Sequence, residues 1–196
     1  MGSPRVRGNT DTLLDSAIEG ARQAGAEVDK VLLNDLPGEV CTGFFSCARA
    51  AYCVKHPHVN KLIDKLKQSD GIILATSVWW FSVSTSMKAF MDHWICLCDP
   101  ETWSSRVPGK KVGLIAVCAM PKERGVSDEV LDHMQRICEW LSLKVVDRLP
   151  VEGVNMKGEV VNYPDLMERA SLLGQRVARA CAGEPAMINA HHTDSA

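Results

Sequence analysis

An α/β fold, with helices on both faces of a parallel sheet, is predicted for this chain by three observations. Apolar residues at helical spacing alternate with short apolar runs along the sequence. Two of those runs, Ile72-Ile73-Leu74-Ala75-Thr76 and Val112 through Cys118, are continuous and bounded by turn residues, as strands buried on both faces are. The composition, 46% hydrophobic and 23% charged over 196 residues without internal repeats, suits one core and excludes disorder over most of the length.

The elements follow in order. Residues 10–24 carry a stripe at Leu13, Leu14, Ala17, Ile18 and Ala21, with Asn9 and Thr10 as N-cap candidates and Gly25 as the stop. Val28–Leu33 reads as a strand, and residues 34–58 as a long irregular segment. Pro57 opens a helix with Val59, Leu62, Ile63 and Leu66 inward. The strand at Ile72 runs into a loop at 77–83, then a helix to about residue 97 with Met87, Phe90, Met91, Trp94 and Ile95 inward. A link at 99–109 leads to the strand at Val112, a loop at 119–126 and a helix over 127–142. Lys144–Val154 reads as the last strand with its exit loop, and Pro164 starts the final helix. One domain over 1–182 and a flexible tail over 183–196 are expected.

Charge and cysteine usage narrow the function. Lys plus Arg is 22 against 24 acidic residues, a net charge of -2, which disfavours a basic-patch nucleic-acid binder. No run reaches the ~18 apolar residues of a membrane span. The first residues lack an apolar signal core, and Val6 breaks the myristoylation pattern after Gly2, so a cytoplasmic location is expected. Eight cysteines in a chain of this length, with periodic apolar segments, read as mostly reduced and partly buried thiols rather than a disulfide scaffold.

In a parallel sheet ligands gather at the carboxyl ends of the strands, so the loops at 2–10, 77–83 and 118–125 matter most. Ser3-Pro4-Arg5-Val6-Arg7-Gly8-Asn9-Thr10 precedes a helix. Its hydroxyl and amide groups, its arginines, the close approach allowed by Gly8 and the positive helix end suit a phosphate; a capped helix behind a loose terminus is the plainer alternative. The segment is neither a Walker loop nor a GxGxxG fingerprint.

Ser-Pro-Arg-x-x-Gly-Asn-Thr before a helix resembles the phosphate loop of the NADPH-dependent FMN reductase family. Further segments resemble it in the same order: Asp70 through Trp79, Lys88-Ala89-Phe90-Met91-Asp92-His93, Gly109-Lys110-Lys111-Val112, and Gly153 through Val160 with the helix after it. The resemblance runs from about residue 2 to 182 and implies a flavodoxin-like three-layer sandwich. It implies FMN as cofactor and NAD(P)H as co-substrate, with hydride passing through flavin N5 to a small-molecule electron acceptor such as a flavin, a quinone or another small aromatic. Ser3, Arg5, Gly8, Asn9 and Thr10 would hold the phosphate. Ser77, Val78, Trp79, Trp80, Phe81 and Ser82 would flank the ring, and Cys118, Ala119, Met120 and Gly125 would form the third flavin loop. No residue is singled out as catalytic, and a homodimer or tetramer is implied. An electron carrier of flavodoxin type and an interaction scaffold without FMN are the alternatives; the small net charge disfavours the carrier.

Three departures stand out. The chain reaches its phosphate loop without the apolar first strand that is central in the family, so that strand is expected to be missing. A start set too late, a re-paired four-stranded sheet and a strand donated by another chain are the readings, each leaving open backbone edges and a loop without its anchor. In the ring loop Ser77 and Trp79 replace the usual Pro and Tyr, and His93 replaces an Arg, so a charge there becomes pH-dependent. Finally, Cys41 through Cys53 resembles the cysteine segment of iron–sulfur flavoproteins, C-x2-C-x2-C with a fourth Cys beyond, but Phe44 stands at the second cysteine position. No metal is expected, zinc through Cys41, Cys47, Cys53 and His56 or His58 being the alternative to a cluster. The segment is expected to lie over the active site, with Phe44, Phe45 and Tyr52 shaping substrate access.

Overall fold

A computed structural model describes residues 1–35 and 40–183. Strands β1 (Gly71–Trp79), β2 (Ser82–Val83), β3 (Lys111–Val117) and β4 (Lys144–Val151) form one sheet in the order β2-β1-β3-β4. β1 and β4 both run parallel to β3, and β2 folds back on the end of β1 as a hairpin. Helices α1 (Asn9–Gln23), α2 (Ser46–Ala50), α3 (Pro57–Gln68), α4 (Thr85–Asp92), α5 (Val126–Trp140) and α6 (Pro164–Cys181) complete the described part. The expected tail lies outside the described residues from residue 184 on.

The period-2 alternation of a strand divides the core in two. Val112, Leu114 and Ala116 of β3 join Val59 and Ile63 of α3, Met87 and Phe90 of α4, and Leu131 and Met134 of α5. Ile115 and Val117 join Leu13, Leu14 and Ala17 of α1 and Leu173 and Val177 of α6 on the other face. The sheet is thus covered on both sides, which is why its strands read as unbroken apolar runs.

The expected strand at Val28–Leu33 is not formed, and the reason is its partner. Only Met1 runs beside it: the Met1 amine donates to Val31 O at 2.7 Å, and Leu33 N–H donates to Met1 O at 2.9 Å. On its other side Gly2 N–H donates to Ala75 O of β1 at 2.8 Å. Residues 1–3 therefore sit between segment 28–33 and β1, and the spatial sequence 28–33, 1–3, β1, β3, β4 is the flavodoxin order. The sheet is not re-paired, because β1 keeps β3 as its parallel neighbour. The phosphate-type loop also keeps an anchor, contrary to expectation. Ser84 Oγ donates to Gly2 O at 2.5 Å, and Asn34 Nδ2 donates to Ser3 O at 3.1 Å.

The expected loop at 77–83 is a tight hairpin instead, because β1 continues to Trp79 and pairs it with Ser82. Its turn residues, Trp80 and Phe81, both have positive φ, at 47° and 61°. Two positive φ values mark the type I′ turn that suits hairpin twist and normally takes Asn-Gly. Bulky aromatic residues are strained there. Replacing Trp80-Phe81 by Asn-Gly is expected to raise the melting temperature by about 2–6 °C. Calorimetry checks this, and an unchanged or lower value counts against strain in the turn.

Candidate functional site

The carboxyl ends of β1 and β3 and the start of α1 enclose a cleft of about 240 Å³. One end is polar, lined by Ser3, Arg5, Gly8, Asn9 and Thr10; the other is largely apolar, lined by Val78, Trp79, Val117, Ala119 and Val154, with Ser77 between. Pro4, Asn155 and Lys157 complete the lining. An amphipathic ligand with an anionic end and a flat ring matches that division.

The polar end is held by short-range contacts. Gly8 N–H donates to Arg5 O at 3.0 Å, closing a tight turn, and a Cβ at Gly8 would lie 2.9 Å from both Arg5 Cβ and Arg5 O. Glycine is required here by close approach, not by φ, which is -86°. Gly8, rather than Asn9 or Thr10, is the N-cap of α1, and no side chain caps it. The first N–H groups of the helix thus keep their donor capacity toward the cleft.

Asn9 is used differently from the expectation. Its Nδ2 donates to Met156 O at 3.0 Å and its Oδ1 accepts from Val160 N–H at 3.1 Å, joining the helix start to segment 155–160. Glu159 stiffens that segment by accepting from Asn155 N–H at 2.9 Å and Met156 N–H at 2.7 Å. Those two N–H bonds hold the Glu159 carboxyl below its ordinary pKa.

Asp11 sets the loop from below. It is buried, accepts from Arg7 N–H at 2.7 Å and pairs with Lys30 at 2.7 Å. Burial works against its charged form, but the Lys30 hydrogen bond, the Arg7 N–H and the nearby positive charges outweigh burial and lower its pKa. A carboxylate depressed in the folded state adds stability above its unfolded pKa, about 3.9. That stability is lost as the pH falls through the lower folded value. Asp11→Asn is therefore expected to flatten the acid limb of the stability curve below about pH 4 while lowering stability at pH 7. Urea denaturation across pH tests this, and an acid slope that persists undiminished in the variant rules Asp11 out as its source.

At the ring end, Trp79 Nε1 donates to Ser77 Oγ at 3.0 Å, which orients the indole on the cleft wall. Beneath it lies a network that sequence reasoning did not find. Buried Thr76 Oγ1 accepts from Ser84 N–H at 3.0 Å, and Ser84 Oγ accepts from Met87 N–H at 3.3 Å as the N-cap of α4. With the bond from Ser84 to Gly2, this ties the loop start, β1 and α4 together. The Thr76…Ser84 spacing around a strand end and a helix start is the signal that was available.

Of the expected site residues, Ser3, Arg5, Gly8, Asn9, Thr10, Ser77, Val78, Trp79 and Ala119 meet in the cleft. Trp80, Phe81 and Ser82 do not line it: the hairpin carries Trp80 outward, 92% exposed, while Phe81 and Ser82 border a second groove of about 310 Å³ with Glu129, Val130, His133 and Arg136 of α5. Cys118 is buried, and its N–H donates to Val151 O at 2.8 Å, while Met120 O accepts from Gly153 N–H at 2.8 Å. Both thus serve to pair the ends of β3 and β4. Gly125, with φ of 63°, caps α5.

The cysteine segment is not over the cleft, because α2 packs against the turn after α4, residues 93–97, where Cys47, Cys53 and Cys96 meet. Phe45 rests edge-on against Trp103 at 6.4 Å, and none of Phe44, Phe45 and Tyr52 lines the cleft. His93, placed where a charge was expected, is buried with its ring edge-on to His56 at 5.3 Å.

A flavodoxin-like sandwich with an anion-suited helix start and an aromatic wall at the strand ends defines a flavin-dependent redox protein of the reductase kind. The model of the NADPH-dependent FMN reductase family matches residues 1–152, and the chain belongs to that family. An iron-sulfur flavoprotein of Archaeoglobus fulgidus is 31% identical over 180 residues, covering 92% of this chain and 77% of that protein. Among solved structures, NAD(P)H:quinone oxidoreductase from Methanothermobacter marburgensis superposes with a TM-score of 0.69 at 15% identity, covering 100% of this chain and 95% of that one. An FMN-dependent NADH-azoreductase from Bacillus anthracis, solved in complex with FMN, gives 0.60 at 11% identity, covering 89% and 93%. The protein is thus an oxidoreductase with FMN as cofactor and a nicotinamide nucleotide as electron donor. Among the described residues, no helix is long and apolar enough to cross a membrane.

Proposed function

We propose that the protein takes a hydride from NAD(P)H and reduces a small flat acceptor, a quinone, a flavin or another small aromatic. The observation that carries this reading is the two-ended cleft, polar at the start of α1 and apolar at Val78 and Trp79. When bound, FMN supplies the redox chemistry at N5, and the chain supplies position and field. Ser3, Arg5, Thr10 and the first N–H groups of α1 hold the phosphate. Ser77, Val78, Trp79, Ala119 and Val154, which line the apolar end of the cleft, would hold the ring, with the Trp79 indole as an aromatic wall.

The exposed Trp80-Phe81 tip supports assembly as a homodimer or tetramer, since large apolar groups grouped at the surface favour a partner. Eight free thiols support work in a reducing compartment such as the cytoplasm.

The test is to load the purified protein with FMN, desalt it, and follow NADH and NADPH oxidation with and without a benzoquinone. Retained flavin and acceptor-dependent oxidation are expected. Retained flavin with no nicotinamide oxidation would favour an electron carrier, and no retained flavin would sink the site.

A further inference from the structure

We infer that the cysteine segment of this chain holds no metal centre and works instead as a packing unit, in which Cys47, Cys53 and Cys96 form a buried cluster that fastens residues 41–53 to the turn after α4. Relatives named iron-sulfur flavoproteins make a cluster the obvious assignment for this segment. The donor set does not fit one. Four thiolates are the ordinary ligand set of a cubane cluster. Phe44 stands at one of those positions, 43% exposed, with the Lys55 ammonium 4.9 Å from the centre of its ring.

The remaining cysteines are arranged as thiols rather than as ligands. Cys47, Cys53 and Cys96 are each 3% exposed or less and lie in contact, with Ile95 against them. Cys41 is half-buried and lies near Cys96 without being one of the buried trio. Among the described residues no group of three or more His, Cys, Asp or Glu side chains has the geometry to hold a metal ion.

What a cluster would do for such a loop is done here by protein donors. Arg106 Nη1 donates to Ala48 O at 3.1 Å and to Cys98 O at 3.0 Å, tying α2 to the chain beyond the turn. Asn60 of α3 clasps Cys53 from both sides: Oδ1 accepts from its N–H at 2.7 Å, and Nδ2 donates to its O at 3.0 Å. Lys67 Nζ donates to Ala51 O at 2.5 Å. Three side chains from outside the segment, Arg106, Asn60 and Lys67, thus fix its backbone.

The experiment uses the full chain, expressed with added iron and cysteine and purified without oxygen, and measures iron, zinc and acid-labile sulfide per chain. Iron and zinc well below one per chain are expected, with flavin the only chromophore. About four irons with matching sulfide and a cubane resonance after reduction would overturn the inference, as would about one tightly held zinc. Two variants read the packing role. Cys96→Ser is expected to lower the melting temperature by about 3–6 °C, because a hydroxyl replaces a buried thiol, while Cys41→Ser stays within about 1 °C. A metal centre would instead make Cys41→Ser lose both metal and stability. Metal content and melting are read without reference to the flavin, so this result is separable from that of the proposed reaction.

Discussion

Gly174→Ala is expected to lower the melting temperature by about 5–10 °C. Two effects oppose each other at this position. In the middle of α6, alanine is the better helix former by roughly 1 kcal/mol, so propensity alone predicts a gain. But α6 and α1 cross at a point where neither backbone leaves space for a Cβ. One built at Gly174 lies 1.8 Å from Ala17 O and 2.7 Å from Ala17 C, and one built at Gly20 of α1 lies 2.0 Å from Ser171 O. The atoms in the way are backbone, so no rotamer change relieves the clash. The helices must move apart, and the layer holding Leu13, Ala17, Leu173 and Val177 opens with them. Overpacking of this kind costs about 1–3 kcal/mol and more when backbone has to shift, which exceeds the propensity gain. Thermal unfolding followed by circular dichroism decides the sign. A melting temperature equal to or above the wild-type value would mean the helices slide past each other without loss.

The second large effect concerns binding. Arg5→Ala is expected to raise the dissociation constant for FMN about 10–100-fold, the worth of one hydrogen bond to a charged group. Arg5 is exposed on the loop that closes the polar end of the cleft, so its removal leaves no buried vacancy and the fold stays intact. Riboflavin supplies the control, because it carries the ring without the phosphate. Its affinity is expected to be the same for both proteins. Fluorescence titration of each ligand against each protein measures all four constants. Equal weakening for FMN and riboflavin would place Arg5 at the ring or in the loop's architecture rather than at the phosphate.

Much of the architecture was legible in local pattern. The apolar runs at Ile72 and Val112, bounded by turn residues, suited strands buried on two faces, and the stripes of α1, α3, α5 and α6 each point at one of the two core layers. Such features are legible because burial acts on single residues at a fixed period. The loop before α1 was legible as a candidate anion site, since serine, arginine, glycine and asparagine before a helix suit one for local reasons. Three things escaped. Val28–Leu33 has a strand's composition but forms no strand; among the described residues its bonds toward the sheet are those with Met1, too few for a ladder. Trp80-Phe81 gave no hint of a two-residue turn, since the turn normally advertises itself by Asn and Gly. Asn9 looked like a helix cap, yet its side chain serves a segment 147 or more residues away in sequence.

The cysteines show the division most clearly. From the amino-acid order, Cys41, Cys47 and Cys53 form a defective ligand motif, and Cys96 belongs to a different helix and a different question. Folding brings Cys96 against Cys47 and Cys53 in a buried trio, of which the half-buried Cys41 is not a member. By itself the sequence determined the fold class, the family and the loop that lines the polar end of the cleft, because these rest on periodicity and on residues adjacent in the chain. The tertiary structure alone decided which thiols touch, which aromatic residues face the cleft and how closely α1 and α6 approach. Those depend on contacts between segments far apart in the chain, whose distances are set by packing and not by spacing in the sequence.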